Sequence, residues 1–421
     1  MNNLSKPKVA VIGLGYVGLP LAISFAKQYK TTGFDISLKR INQLKESYDS
    51  TLEIKKSILK KSNIKFTENI QDLETANYFI VTVPTPVDRY NNPDLNNLVS
   101  ACHLISKVIQ KNAVVIFEST VYPGCTEEEC IPIIEKKSGL KLNKDFYVGY
   151  SPERINPGDK IHTFEKINKV VSGSNQNAAK KIFNLYSKVI NAEIFIAKSI
   201  KVAEASKVIE NTQRDINIAL MNELSEIFEK MDIDTNDVLK ASNTKWNFIN
   251  FRPGLVGGHC IGVDPYYLAY KSKLLGVNSR MILSGRSVNN KVFKRIVNIT
   301  KSHLKKISKP KISIMGITFK ENCPDIRNSG ALKVLKRLNN DGFVPTIFDP
   351  YYLEDPKLKD MKYSFTNSFE KIKNNQDAIL ILVPHKEFLS ITPKQLIKKV
   401  KKSGFIFDAI DLYNFEGFKK L

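Results

Sequence analysis

Cys260 closes the run Phe251-Arg252-Pro253-Gly254-Leu255-Val256-Gly257-Gly258-His259-Cys260, which holds three glycines and a proline. Such a run excludes regular helix and suits a loop that wraps a ligand with its backbone. A cysteine at its end, followed by Gly262 and Asp264, is placed like a nucleophile. Free cysteine is equally one of the residues most often buried as a small apolar group, and the residues alone leave the two readings level. His259 is a tempting base for the thiol, but neighbours in a loop need not point the same way.

Gly13-Leu14-Gly15-Tyr16-Val17-Gly18 has the GxGxxG spacing. In a dinucleotide site the first glycine permits a tight turn, the second lets backbone approach a pyrophosphate, and the third allows close helix–strand packing. The run follows an apolar strand and opens a helix whose free N–H groups favour phosphate. Asp35 stands about 20 residues on, where an acid binds the adenosine ribose hydroxyls. It would repel a 2′-phosphate, favouring NAD over NADP, and Arg40 weakens that preference.

Three further segments carry charge in special settings. Glu204, Lys207, Asn211 and Arg214 recur at i, i+3, i+7 and i+10, which is one helix face. The row is either a solvated face or a set of donors for a sugar and its diphosphate. Tyr150-Ser151-Pro152-Glu153-Arg154-Ile155-Asn156-Pro157-Gly158 puts a carboxylate and a guanidinium in a proline-bounded loop, or merely makes a turn with a surface ion pair. Phe319 to Ser329 fills a βα loop, so its Lys320 and Arg327 are phosphate candidates.

The elements that must hold these residues follow from periodicity. Strands are expected at Lys8–Ile12, up to Phe34-Asp35, Tyr78–Val83, Ala113–Phe117, Lys169–Ser172 and Glu193–Ile196, with helices between, the first from Tyr16 to Lys27. Strands alternating with helices imply parallel sheet covered on both faces. Ser199 to Met231 has no Gly or Pro and reads as one helix, about 50 Å long at 1.5 Å per residue. The opening theme then returns: strand Lys311–Met315, a loop, a helix from Ser329, strand Val344–Phe348 with Asp349, then strands Ala378–Val383 and Phe405–Ile410. The expected fold is α/β, with two Rossmann-like doubly wound domains (1–198 and 309–421) joined by a long helix and a helical middle (199–308).

Hydrophobic content of 42% over 421 residues fits folded domains rather than disorder. No apolar run approaches the roughly 20 residues of a membrane span, and no signal-peptide pattern stands at the start, so a cytoplasmic location is expected. Cys102, Cys125, Cys130, Cys260 and Cys323 are odd in number and scattered, which argues against disulfides and against a structural metal. A net charge of +22 admits nucleic-acid binding, but no helix-turn-helix, zinc-finger or aromatic RNA-binding pattern accompanies it. Solvated lysine and attraction of an anionic substrate is the preferred reading, with no nucleic-acid and no membrane partner.

Taken together, GLGYVGLPLA, PTPVD, ESTVYPG, SPERINPGD, KVIENTQRDINIALMNE, FRPGLVGGHCIGVDPYYL and GITFKENCPDIRNS resemble the UDP-glucose/GDP-mannose dehydrogenase family over essentially the whole chain. SPERINPGD, NTQRD and GGHCIGVDPYYL are more similar to the UDP-N-acetylhexosamine 6-dehydrogenases than to UDP-glucose 6-dehydrogenase. The resemblance implies NAD as cofactor and a four-electron oxidation of a sugar C6 alcohol to a carboxylate. Cys260 would be the covalent nucleophile, Lys207 would move protons and stabilise the oxyanion with Asn211 and Asp264, and Glu153 would handle the hydrolytic water with Thr120. Arg154, Arg214, Arg252, Gly257, Gly258 and Lys320 would meet substrate, as would Glu153, Lys207 and Asn211. Gly13, Gly15, Tyr16, Val17, Gly18, Asp35, Arg40, Thr85 and Thr120 would meet the cofactor, with Arg327 reaching it across a subunit boundary in a homodimer built on the long helix. UDP-N-acetylglucosamine is the expected substrate, with UDP-N-acetylgalactosamine or UDP-glucose as alternatives and surface polysaccharide as the destination. A two-electron β-hydroxyacid dehydrogenase shares the first domain and a long helix, but it leaves Cys260 and the last domain unexplained.

Overall fold

The computed structural model describes residues 6–159, 161–258, 260–352, 355 and 358–421. Its contacts divide the chain into two units, one of Met1–Glu210 with Tyr266–Asn278, the other of Asn211–Pro265 with Ser279–Leu421. The stretch expected as a helical middle is thus shared between them.

The first unit is built on β1 (Lys8–Ile12), β2 (Lys30–Phe34), β3 (Ile64–Thr67), β4 (Tyr78–Val81), β5 (Val114–Phe117) and β6 (Tyr147–Tyr150), with β7 (Lys169–Val171) and β8 (Ile194–Ile196) following. The first six form one sheet in the order β3-β2-β1-β4-β5-β6, with every neighbouring pair parallel. The order reverses between β1 and β4, and a doubly wound sheet opens its crevice there, at the carboxyl ends of the strands. β7 and β8 pair with each other rather than joining this sheet. The residues after β7 bond to it: Ser172 N donates to Tyr150 O and Ser174 N to Val148 O.

Strands β1 and β5 are almost wholly buried, as expected of parallel strands covered on both faces. One covering layer packs Phe25 edge-on to Tyr186, their centroids 5.3 Å apart, within a core that also takes Leu19, Ile80, Ile116 and Ile182. β3 and β6 were not anticipated. β6 carries Gly149, a poor strand former, at a point where a Cβ would meet the Ser172 carbonyl oxygen at 2.3 Å.

The second unit repeats the plan with β9 (Ile312–Met315), β10 (Thr346–Phe348), β11 (Ser364–Thr366), β12 (Gln376–Ile381) and β13 (Val400–Asp408), in the parallel order β11-β10-β9-β12-β13. Helix Gly330–Asn340 starts where Ser329 caps the Leu332 N–H. That helix and Arg280–Leu304 cover one face through Leu335, Leu338, Val292 and Ile296, and a second core around Phe348, Phe388 and Leu396 covers the other.

Helix Ile200–Lys230 is a single 31-residue element, in register with the expected Ser199–Met231. Among the described residues no helix is long and apolar enough to cross a membrane.

Candidate active site

In the first unit the glycine turn follows β1. A Cβ on Gly18 would fall 1.8 Å from the Gly13 carbonyl oxygen, and one on Gly13 would press on the Thr82 backbone at 3.2 Å. A Cβ on Gly15 would meet nothing within 4 Å. The outer two glycines therefore allow the turn to close on itself, while the middle one faces open space beside the first turn of helix Gly18–Ala26. That asymmetry fits a pyrophosphate, which must approach backbone at one point only.

Asp35, at the end of β2, accepts from Leu14 N at 2.8 Å and from Ser37 N at 2.9 Å and stays partly exposed. Tyr16 and Val17 are half-buried on the turn. Arg40 is engaged within the first unit. Its Nε donates to Leu14 O at 2.8 Å and its Nη1 lies 2.9 Å from buried Asp49, so it holds the turn from within the protein. Thr85 and Thr120 come together, with the Thr85 hydroxyl donating to Thr120 O at 2.7 Å. Tyr267 braces the same strand end by donating to Thr85 O and Pro86 O.

The loop after β6 separates its two charges. Arg154 forks onto Glu210 of the long helix and also donates to Asn168 O, so its donors are taken within the protein rather than held out for a sugar. Glu153 is buried and ion-paired to Lys169, at 3.0 Å. Neither is the surface pair that the sequence allowed. The helix-face row is not a solvated face either, because Glu204, Lys207 and Asn211 are buried and only Arg214 is exposed. Glu204 accepts from Gly124 N and Thr126 N, tying the helix to the loop after Thr120. Burial pushes its carboxyl up to about 7.

In the second unit Cys260 is exposed, whereas Cys102, Cys125, Cys130 and Cys323 are buried. The reading as a small core residue thus suits four cysteines and not the fifth. The Cys260 carbonyl accepts from Val263 N at 3.0 Å and Asp264 N at 2.8 Å, a turn that leads directly into helix Asp264–Leu274. Asp264 is fully buried and accepts from Asn211 Nδ2 at 2.5 Å, so two of the expected residues meet. The loop before Cys260 lies on the loop after β9. A Cβ on Gly257 would meet Asn328 O at 2.7 Å, and one on Gly258 (φ +81°) would strike the Phe319 ring at 2.5 Å. The Gly258 amide also donates to Asn328 O. His259 lies outside the described residues, and Arg252 is exposed.

Lys320 is largely covered, 3.8 Å from Glu321, and its carbonyl accepts from the Thr318 hydroxyl. Arg327 is half exposed and forks onto Asp325, at 2.6 Å from Nη2. Among the described residues no group of three or more His, Cys, Asp or Glu is placed to hold a metal ion.

What sequence reasoning missed is the set of groups behind Glu153, namely Glu118, Lys169 and Tyr186. Their signal was present as charged residues bounding apolar strands, Glu118 just after β5 and Lys169 opening β7.

The chain is 50% identical over 411 residues to Protein CapL of Staphylococcus aureus, covering 96% of each. It is 49% identical over 406 residues to a UDP-N-acetyl-D-glucosamine 6-dehydrogenase of Pseudomonas aeruginosa, covering 95% of this chain and 96% of the relative. Among solved structures, a UDP-D-ManNAc dehydrogenase from Pyrococcus horikoshii superposes with a TM-score of 0.85 at 30% identity, covering 98% of both chains. Residues 7–190, 201–291 and 313–415 match, in turn, the NAD binding, central and UDP binding domains of one family. With all three domains present in order, the chain belongs to the UDP-glucose/GDP-mannose dehydrogenase family, and NAD is its cofactor.

Proposed function

We propose that the protein oxidises the C6 hydroxyl of a UDP-N-acetylhexosamine, UDP-N-acetylglucosamine first among them, to the uronate through a covalent bond to Cys260. The observation that carries this reading is the exposure of Cys260, alone among the five cysteines, on a turn leading into the Asp264–Asn211 pair. Relatives named UDP-N-acetyl-D-glucosamine 6-dehydrogenase at 47% and 49% identity support the sugar.

NAD, when bound, accepts the hydride given up in each of the two oxidations. Lys207 takes part in removing the hydroxyl proton that accompanies the first, which leaves an aldehyde. An aldehyde carbon has no anionic oxygen to drive a second loss of hydride. The Cys260 thiolate supplies one by adding to that carbon, forming a C–S bond and an oxyanion that Lys207 and Asn211 stabilise. Oxidation of this thiohemiacetal gives a thioester. Water then attacks the acyl carbon, its proton passes to Glu153 with Thr120 alongside, and the C–S bond breaks to release the thiolate and the acid.

Arg214, Arg252, Lys320 and the backbone of Gly257 and Gly258 are assigned to the substrate. Arg154 would have to leave Glu210 to join them. Gly13, Gly15, Tyr16, Val17, Gly18, Asp35, Thr85 and Thr120 are assigned to the cofactor, with Arg40 acting through the Leu14 carbonyl. Regions 1–198, 199–308 and 309–421 serve as NAD-binding, linking and UDP-sugar-binding parts. We assign to Arg327 a cofactor contact in a homodimer formed through the long helix, and to the product a place in surface polysaccharide.

The test is stoichiometry. Purified protein with NAD and a panel of UDP-sugars should release two NADH per sugar consumed, fastest with UDP-N-acetylglucosamine. Cys260→Ser should stall before the acid. One NADH per sugar, or full uronate production by the variant, would sink the covalent route, and turnover of a small hydroxy acid would favour the β-hydroxyacid reading.

A further inference from the structure

Behind Glu153 lies a cluster of four buried polar side chains from four elements: Glu118 after β5, Glu153 after β6, Lys169 at the start of β7 and Tyr186 at the end of helix Gln176–Tyr186. Lys169 Nζ sits between the two carboxyls, 2.7 Å from Glu118 Oε2 and 3.0 Å from Glu153 Oε2, and donates also to Pro152 O. Its ammonium lies 5.1 Å from the Phe164 ring centroid and 5.6 Å from that of Tyr186. Tyr186 donates to the other oxygen of Glu118. The other oxygen of Glu153 accepts from Arg154 N at 2.6 Å and Ile155 N at 2.5 Å. The Arg154–Glu210 pair beside them is self-compensated.

One cation cannot neutralise two carboxylates, and a net charge buried this deeply is costly. One carboxyl must therefore keep a proton. The two carboxyls share the ammonium, and Glu118 has one further donor in Tyr186 whereas Glu153 has two in the backbone N–H groups of Arg154 and Ile155, so the donors favour the charged form more strongly at Glu153.

We propose that Lys169 and Glu118 are positioning residues for Glu153: Lys169 makes Glu153 the anion of the cluster, and Glu118, gripped by Tyr186, carries the proton that keeps the cluster neutral. This rests on the reading of Glu153 as acceptor of the hydrolytic proton, a task only an ionised carboxylate can perform. The titration tendencies agree. Burial, then the neighbouring Glu153, pushes Glu118 up to about 8 against the pull of Lys169. Burial alone would raise Glu153 too, but the Lys169 charge and the hydrogen bonds from Glu118 and Lys169 bring it below its ordinary value.

The experiment follows thioester hydrolysis against pH, with acid-quenched enzyme weighed intact to detect the sugar held on Cys260. In Lys169→Met, Glu153 loses its cation and the acid limb of the kcat profile should move up by about one to three pH units, with thioester accumulating where wild type shows none. An unmoved acid limb overturns the proposal. Should Lys169→Met fail to fold, Glu118→Gln decides. Burial and the neighbouring Glu153 move the ionisation of wild-type Glu118 toward the alkaline side, where the anion competes for Lys169, so the variant should lose the alkaline change that this produces in the profile. An alkaline limb identical to wild type overturns the proposal. Glu153→Gln in the same assay separates the two claims. If it stalls at the thioester while the other two variants behave as wild type, this inference fails alone; if it hydrolyses normally, the role given to Glu153 fails and takes the inference with it.

Discussion

The turns after β1 and β9 start alike and end differently. Each is received by an acid at the end of the next strand, Leu14 N donating to Asp35 at 2.8 Å and Ile317 N to Asp349 at 2.7 Å. Asp35 remains partly open to solvent. Asp349 is sealed: it accepts also from Thr318 N and Tyr351 N, and His385 Nε2 lies 3.1 Å away. His385 in turn accepts the Asn322 amide, so the loop carrying Lys320 is tied to the same acid. One topology thus supports two uses of one carboxylate. In the first unit it is a partly exposed acceptor, which is what the proposed ribose contact requires, and in the second it is an internal brace whose work ends inside the fold.

The comparison breaks most sharply by truncating each acid. Asp349→Ala should cost about 3–5 kcal/mol in denaturant unfolding, because it strands several buried donors. Asp35→Ala should cost only about 1 kcal/mol there. Equal losses would end the distinction.

Cofactor affinity should reverse the order. Asp35→Ala should raise the KM for NAD by about 10- to 100-fold, the worth of hydrogen bonds to a charged group. A change of that size in Asp349→Ala beyond its loss of folded protein would contradict the assignment.

Within the first turn, Gly15→Ala should leave the unfolding midpoint unmoved yet weaken NAD binding several-fold, since its Cβ would enter only the open space. Gly18→Ala, aimed into the Gly13 carbonyl, should destabilise by about 1–3 kcal/mol. Calorimetry with and without NAD checks both.

The smallest expected effect is in acid. Burial would raise Asp349, but His385 and the backbone amides hold it below the ordinary carboxylate value of 3.8. A depressed carboxyl contributes stability above its unfolded pKa and loses it as pH falls through the folded one, so this contribution should fade below about pH 4. Asp349→Asn should flatten that part of the stability curve.

Much of this contrast was legible in the sequence up to the point where distant residues meet. GLGYVG after an apolar strand placed the first turn, and Ser329 marked the helix start in the second. β11 escaped because it is a three-residue edge strand with two exposed positions, and β3 is only four residues long. That Asp349 is spent could not be read, because His385 lies 36 residues further on. The same holds for Lys169, 51 residues from Glu118, and for Arg154, whose guanidinium finds Glu210 across 56. Periodicity reports which face of an element is apolar, and says nothing of which charges will meet.

The uneven exposure of the sulfur atoms has a practical consequence. With four thiols enclosed in the fold and one outside it, a mild alkylating reagent should add a single mass increment per chain. Protection of that increment by a sugar nucleotide would report occupancy without any turnover. On the role proposed for Cys260, the same geometry makes this position the point where an oxidant would first silence the protein.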